Sequence, residues 1–480
     1  MIVGAGFGGI GLGIELRRAG IGSFTILEKA DGVGGVWRDN TYPGLTCDVP
    51  SHLYSFSFEP NHDWTRRFPP QSEILAYLER CADKHGLRDH IRLGTEVLAA
   101  EFDHDRGGWG IELADGERIE ADALVAATGQ LSRPAYPSIS GLDAFEGKLF
   151  HSARWDHDYD LAGKRVAVIG TGASAAQFIP EIAPEVSKLV VFQRSAPWLI
   201  RKPDRPYPAW ERRLYRRLPW LQSASRWWDY CVYELLVLAF TRARWLLRPF
   251  ERRYRRRLQR EVDDEALRAS LTPDYPMGCK RVVIVNGYIE TMARPNVDLV
   301  TAPIERVSPQ GVVTEDGIEH ELDAIVLGTG FHANEFLAPM RITGVDGVDL
   351  NETWRDGAEA YLGITVSGFP NLYILYGPNT NLGANSIVYM LESQIRYVLD
   401  GIEALGRDGG GALEVRPEVQ RRFNDELQRR LAGSVWQGGC TSWYVNETGR
   451  VTNNWPGMTL EYRRRTRRFD PADYRAVRAG

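Results

Sequence analysis

The sequence predicts an α/β fold with two βαβ dinucleotide-binding units and a helical insert, on three observations. Two glycine-rich loops, at 4–9 and 170–175, each join an apolar strand to a helical pattern. Two further apolar strands, at 121–127 and 323–328, both end in a Thr-Gly turn. Over 202–262 the composition shifts abruptly to arginine and tryptophan. A chain of 480 residues is too long for one core, so two or three domains are expected.

The first unit opens on a strand stub, Met1-Ile2-Val3, followed by a G-x-G-x-x-G loop in which Gly4, Gly6 and Gly9 are the fingerprint glycines. So short a strand is expected to weaken the sheet there. Ile10, Leu12, Ile14 and Leu16 continue as a helix, and the strand Ser23 to Leu27 ends at Glu28. Glycines at these positions permit the tight turn and let the backbone approach a pyrophosphate lying on a helix N-terminus. Glu28 stands where an acid accepts hydrogen bonds from a ribose. A second glycine-rich turn, Gly32 to Gly35 before Trp37, suits FAD, whose ribityl chain runs along the backbone. The turns Thr128-Gly129 and Thr329-Gly330 return the chain towards the cofactor cleft.

The second unit runs from the strand Lys164–Ile169 through Gly170, Gly172 and Ser174, with Ala175 in place of the third glycine. Its second strand, Lys188–Phe192, ends in Gln193-Arg194-Ser195, with no acid. A guanidinium pairs bidentately with phosphate, so Arg194 predicts NADPH rather than NADH. The expected cofactors are therefore FAD in the first loop and NADPH in the second.

Between the loops, Phe145, Gly147, His151, Trp155 and Asp156 fit the pattern F-x-G-x-x-x-H-x-x-x-W-[PD]. On this fingerprint the chain resembles the type I Baeyer–Villiger monooxygenases, over essentially its whole length and most weakly in the middle. The resemblance implies two Rossmann-like domains. It also implies insertion of one oxygen atom of dioxygen beside a ketone carbonyl, through a flavin C(4a)-peroxide and a Criegee intermediate. Tyr42-Pro43-Gly44 and Asp48 are similar to the family's Y-P-G-x-x-C-D segment, which puts Asp48 near the flavin and Tyr54 against the cofactor. Lys280-Arg281 to Val297 is similar to a second family segment, in which Arg294 falls on the active-site arginine. Ile289 and Ala293 depart from that pattern. Thr441 to Tyr444 resembles a third, with Trp443 lining the cleft or, equally, filling the core. Asp48 is expected to hold Arg294, with an ordinary turn role as the alternative. His151 is expected to organise the linker between the nucleotide domains. Oxidation of nitrogen or sulfur on the same scaffold is the nearest rival activity, and Trp155, Asp48 and Arg294 argue against it.

The expected division is an FAD domain at 1–142 and 333–480, an NADPH domain at 143–201 and 271–332, and a helical insert at 202–270. The insert is read either as a cap packing its apolar face over the site or as a basic amphipathic surface on a membrane. An apolar cap favours a bulky, lipophilic ketone. A net charge of −5 argues against nucleic acid as a partner. Five cysteines without CxxC spacing argue against a disulfide framework, a zinc site and a flavin disulfide reductase, and suit the reducing cytoplasm. The N-terminus carries no signal-peptide pattern, and no run approaches the ~18 apolar residues of a membrane span.

Overall fold

Short runs rich in Val, Ile, Leu and Ala form the strands of two parallel sheets, buried on both faces. The computed structural model describes residues 1–407, 411–440 and 442–477. In the first sheet β1 (Ile2–Val3) is central, flanked by β2 (Ile26–Leu27) and β3 (Ile91–Arg92) on one side. On its other side lie β4 (Leu124–Ala126) and a strand from far along the chain, Leu372–Ile374. The stub expected to be weak thus sits mid-sheet, bonded on both edges. Helix α1 (Phe7–Arg18) follows the first loop.

The second sheet takes five strands in the order Val297–Val300, Lys188–Phe192, Arg165–Ile169, Ala324–Leu327, Lys148–His151, every pairing parallel. Its crossover helix is α2 (Ala173–Ile182). One hydrophobic core joins the two halves: Ile10 and Val125 from the first and Phe178 and Val191 from the second belong to a single buried cluster.

Four helices make up the insert: α3 (Ala209–Arg217), α4 (Pro219–Thr241), α5 (Arg248–Glu261) and α6 (Glu265–Ser270). Prolines stand in the first turn of α4 and α5, where a missing N–H is harmless. Asp264 caps α6 by accepting from the amides of Ala266 and Leu267. The tail helix is α7 (Ile387–Arg407). It packs on α1 so tightly that a Cβ at Gly11 would come within 2.8 Å of Ile395. Among the described residues no helix is long and apolar enough to cross a membrane.

One expectation is corrected. Cys279 and Cys440, separated by 161 residues, form a disulfide with a Cα–Cα distance of 6.2 Å. Spacing in sequence gave no sign of it, because the fold brings the two together from opposite ends of the insert and tail.

Candidate active site

The two nucleotide loops are built alike. Gly4 has φ +105° and a Cβ there would lie 2.6 Å from the Ala127 carbonyl oxygen; Gly170 has φ +108° and would meet Gly328 O at 2.4 Å. Each loop is pressed against the strand end that carries the Thr-Gly turn, Thr128-Gly129 and Thr329-Gly330. Over the second glycines the space is open: nothing lies within 4 Å of a Cβ at Gly172, and only Gly35 Cα, at 3.7 Å, faces Gly6. Gly9, Ser174 and Ala175 open the helices behind these turns.

Glu28 is buried at the end of β2. Its Oε2 accepts from the Ala5 amide at 2.8 Å and its Oε1 from Ala30 at 3.0 Å, with Arg38 at 3.3 Å. The carboxylate is thereby fixed against the first loop. Trp37 Nε1 donates to the Tyr54 hydroxyl at 3.1 Å, and Gly34 donates to Ala5 O, so the second glycine turn is tied to the first. Gln130, just past the Thr128 turn, donates to Tyr376 O at 2.9 Å and leaves its buried Oε1 without a partner.

On the second unit, Lys280 Nζ donates to Ser195 Oγ at 2.7 Å. Burial lowers the pKa of Lys280, and the charge of Arg194 lowers it further. Two cations thus lie about the Ser195 hydroxyl at the end of the strand Lys188–Phe192. Sequence reasoning singled out Arg194; it did not single out Lys280, which comes from the far side of the insert.

Asp48 lies where the two units meet. Its segment is clamped to α2 by a pair of hydrogen bonds, Gln177 Oε1 accepting from the Thr46 amide at 3.2 Å and Gln177 Nε2 donating to Thr46 O at 3.1 Å. Asp48 Oδ2 accepts from Arg281 Nη2 at 2.5 Å, with side chains 24% and 39% exposed, so the pair opens onto a cleft. Burial would raise the pKa of Asp48, but Arg281 and Lys202 together hold it below the usual carboxylate range. The charge of Asp48 in turn raises that of Arg281 against the pull of burial. Lys202 is buried behind them, its Nζ donating to Thr46 Oγ1 at 2.5 Å and Cys47 O at 3.0 Å. Tyr376, Tyr444 and Tyr233 are close enough to this pair to feel its charge.

The expectation that Asp48 holds Arg294 is corrected. Arg294 is exposed beyond the short helix Tyr288–Met292, its Nε 3.4 Å from Asn296 Oδ1. That helix turns the chain away from the cleft, whereas Arg281, next to the disulfide at Cys279, is held in it.

The fingerprint residues lie along the link to the second sheet. Trp155 meets Phe150 and Phe178 edge-on at 5.2 Å each, and Asp156 pairs with Lys148. A Cβ at Gly147 would collide with the Phe145 ring at 2.5 Å. His151 is buried, accepts from the Ala153 amide at 3.0 Å, and leaves Nε2 without a partner. Burial lowers its pKa. Trp443 is half-buried, its ring 4.5 Å from Tyr444; Thr441 lies outside the described residues.

Residues 1–216 match the family model described as pyridine nucleotide-disulphide oxidoreductase. A Baeyer–Villiger monooxygenase of Streptomyces coelicolor is 49% identical over 479 residues, covering 99% of this chain and 92% of that one. An oxidised steroid monooxygenase bound to NADP superposes with TM-score 0.86 at 35% identity, over 97% and 96% of the two chains. The OTEMO complex with FAD and NADP gives TM-score 0.88 at 30% identity, over 99% and 98%. With such identity along nearly its whole length, the chain belongs to the Baeyer–Villiger monooxygenase family.

Proposed function

We propose that this enzyme binds FAD on the first loop and NADPH on the second, and inserts oxygen beside the carbonyl of a bulky, lipophilic ketone to give an ester or lactone. The observation that carries the reading is the Asp48–Arg281 pair, open to the cleft between two loops built for dinucleotides. The residues fit both groups. The free space over Gly6 and Gly172 suits a pyrophosphate, and the fixed Glu28 carboxylate suits a ribose. The unpartnered Gln130 Oε1 is a buried acceptor, and Arg194 with Lys280 suits a 2′-phosphate. When bound, FAD and NADPH supply hydride transfer and the activation of dioxygen.

The chain's own residues do the rest. Arg281 keeps its charge at every working pH, and its role in this reading is to stabilise the negative charge that gathers on oxygen as the carbonyl is attacked. Asp48 orients Arg281 and, ionised, is itself held by Lys202. Arg294 has no part in this step. The inner face of α4 closes the cleft: Phe240 packs on Gly278, and Tyr233 lies towards Asp48. An apolar wall of this kind excludes water and accepts a lipophilic body.

Sheet membership supports FAD-domain limits of 1–142 and 333–480, since Leu372–Ile374 returns to the first sheet. It likewise supports 143–201 with 271–332 for NADPH. We further infer a cytoplasmic enzyme, supported by three of the five cysteines being free thiols, with the Cys279–Cys440 bond as the departure from that pattern. Dioxygen and a small-molecule ketone are the proposed partners, with peripheral contact of 202–262 with a membrane and no nucleic acid.

The test is product analysis after incubation with NADPH, dioxygen and a mixed panel of ketones, amines and thioethers. Products one oxygen heavier than the ketones, as esters or lactones, are expected. Oxidised amines or sulfides beside untouched ketones would overturn the reading.

A further inference from the structure

From Pro219 to Leu235 helix α4 is turned inside out; only beyond that, at Val237, Ala239 and Phe240, does it bury apolar side chains. It buries Gln222, Asp229 and Glu234, at 4%, 5% and 5% exposure, and presents Trp220, Trp227, Trp228 and Leu235 to solvent at 63–65%. The buried polar groups are its anchors to the body of the protein. Gln222 donates to Asn61 O at 2.7 Å, Asp229 pairs with Arg67 at 3.0 Å, and Glu234 accepts from Asn385, Thr459 and the Leu460 amide at 2.8–2.9 Å. With those contacts satisfied the helix cannot roll its apolar side inward. Trp210 on α3 and Trp245 in the turn before α5 are exposed by 65% and 66%. Single exposed apolar residues are ordinary; five tryptophans exposed on three successive elements are not.

The same segment carries the charge. Residues 205–260 hold fifteen arginines and four acidic residues, a net of +11 in a chain whose total is −5. Arg213, Arg217, Arg242, Arg248, Arg252 and Arg253 are exposed, and none has an ion-pair partner among the described residues.

We propose that this face docks the enzyme on the surface of a bilayer containing anionic lipid, with the tryptophans at headgroup level and the arginines on phosphates. Tryptophan suits that depth because its ring is apolar and its N–H polar, and arginine adds attraction to the negative leaflet. The patch is a row of side chains on convex helices rather than a groove, which suits a deformable phase better than a folded partner. A second copy is disfavoured by charge, since the same face would bring +11 against +11. The inference rests on this surface alone and stands whether or not the cleft performs the chemistry proposed above.

Flotation of the FAD-loaded full chain with vesicles of phosphatidylcholine plus phosphatidylglycerol tests it, alongside vesicles of phosphatidylcholine alone. Binding to the anionic vesicles at low salt is expected, with tryptophan fluorescence quenched by brominated acyl chains. In the triple variant Trp220→Ser, Trp227→Ser, Trp228→Ser that quenching should fall and flotation be lost. Arg252→Gln with Arg253→Gln should weaken binding roughly tenfold or more. Bound flavin and NADPH oxidation, unchanged in these variants, serve as the folding control. Absence of flotation at low salt overturns the proposal, as does a triple variant that floats like the parent. So does concentration-dependent dimerisation that the triple variant abolishes, which would make a second copy the occupant.

Discussion

Arg281 and Arg294 lie in one family-like segment and have the same chemistry, yet only one reaches the cleft. The difference is local. Arg281 follows Cys279, which is bonded to the tail, and its guanidinium is caught by Asp48 at 2.5 Å. Arg294 comes after a helix of five residues that carries it to the surface. A residue pattern alone could not separate the two, because both outcomes satisfy it. Asp48 was legible from its motif; Lys202 behind it was hidden within the arginine-rich composition of the insert. At the second loop the strand-end Arg194 was legible and its companion Lys280 was not. Replacing either by alanine removes one charge from the site proposed for the NADPH phosphate. Each change is expected to raise KM for NADPH by about 10–100-fold with kcat nearly unchanged, as steady-state kinetics would read. A fall in kcat at constant KM would place these side chains elsewhere in the cycle.

At the scale of elements, the βαβ units were legible because a strand, a glycine turn and a helix must occur in a fixed order, and few other sequences satisfy that. The insert was legible as helices but not in its orientation. Burial on α4 follows tertiary anchors rather than apolar periodicity, so no sequence pattern could tell which face is outward. His52 is one of those anchors, its Nδ1 3.0 Å from Ser225 Oγ and its ring stacked on Tyr207 at 5.1 Å. Burial lowers its pKa to about 4 from an ordinary 6.5, with Glu211 opposing and Arg205, Arg226 and His62 adding to the shift. The unfolded chain therefore takes up this proton at a higher pH than the folded one. The stability contributed by neutral His52 is complete above pH 6.5 and is lost as pH falls to about 4. The full loss is on the order of 3 kcal/mol. Thermal unfolding should show this slope in the parent and a flatter one in His52→Phe. Equal slopes in the two proteins would remove His52 from the account.

For the whole molecule, two parallel sheets share one core, and the cleft forms only where segments distant in sequence converge. Asp48 comes from the first unit, Lys202 from the head of the insert, Arg281 from the second unit just past the insert and Tyr444 from the tail. Length, charge and the two loops gave the architecture; convergence of these four could not be read from spacing. The Cys279–Cys440 bond ties two of the four contributors together across 161 residues. A cross-link closing so long a loop mainly restricts the unfolded chain. Cys440→Ser is expected to lower stability by about 2–4 kcal/mol in denaturant unfolding, with bound flavin retained. An unchanged midpoint would mean that the bond contributes nothing to holding the tail on the cleft.

In the proposed reaction Arg281, held by Asp48, stabilises the charge that develops as the ketone is attacked. This role is tested most directly by measuring ester formation in Arg281→Ala and Arg294→Ala, each with its flavin bound. A loss of at least about 10²–10³-fold in kcat is expected for Arg281→Ala and a rate near the parent's for Arg294→Ala. The reverse pattern, with ester made by Arg281→Ala and none by Arg294→Ala, would contradict it.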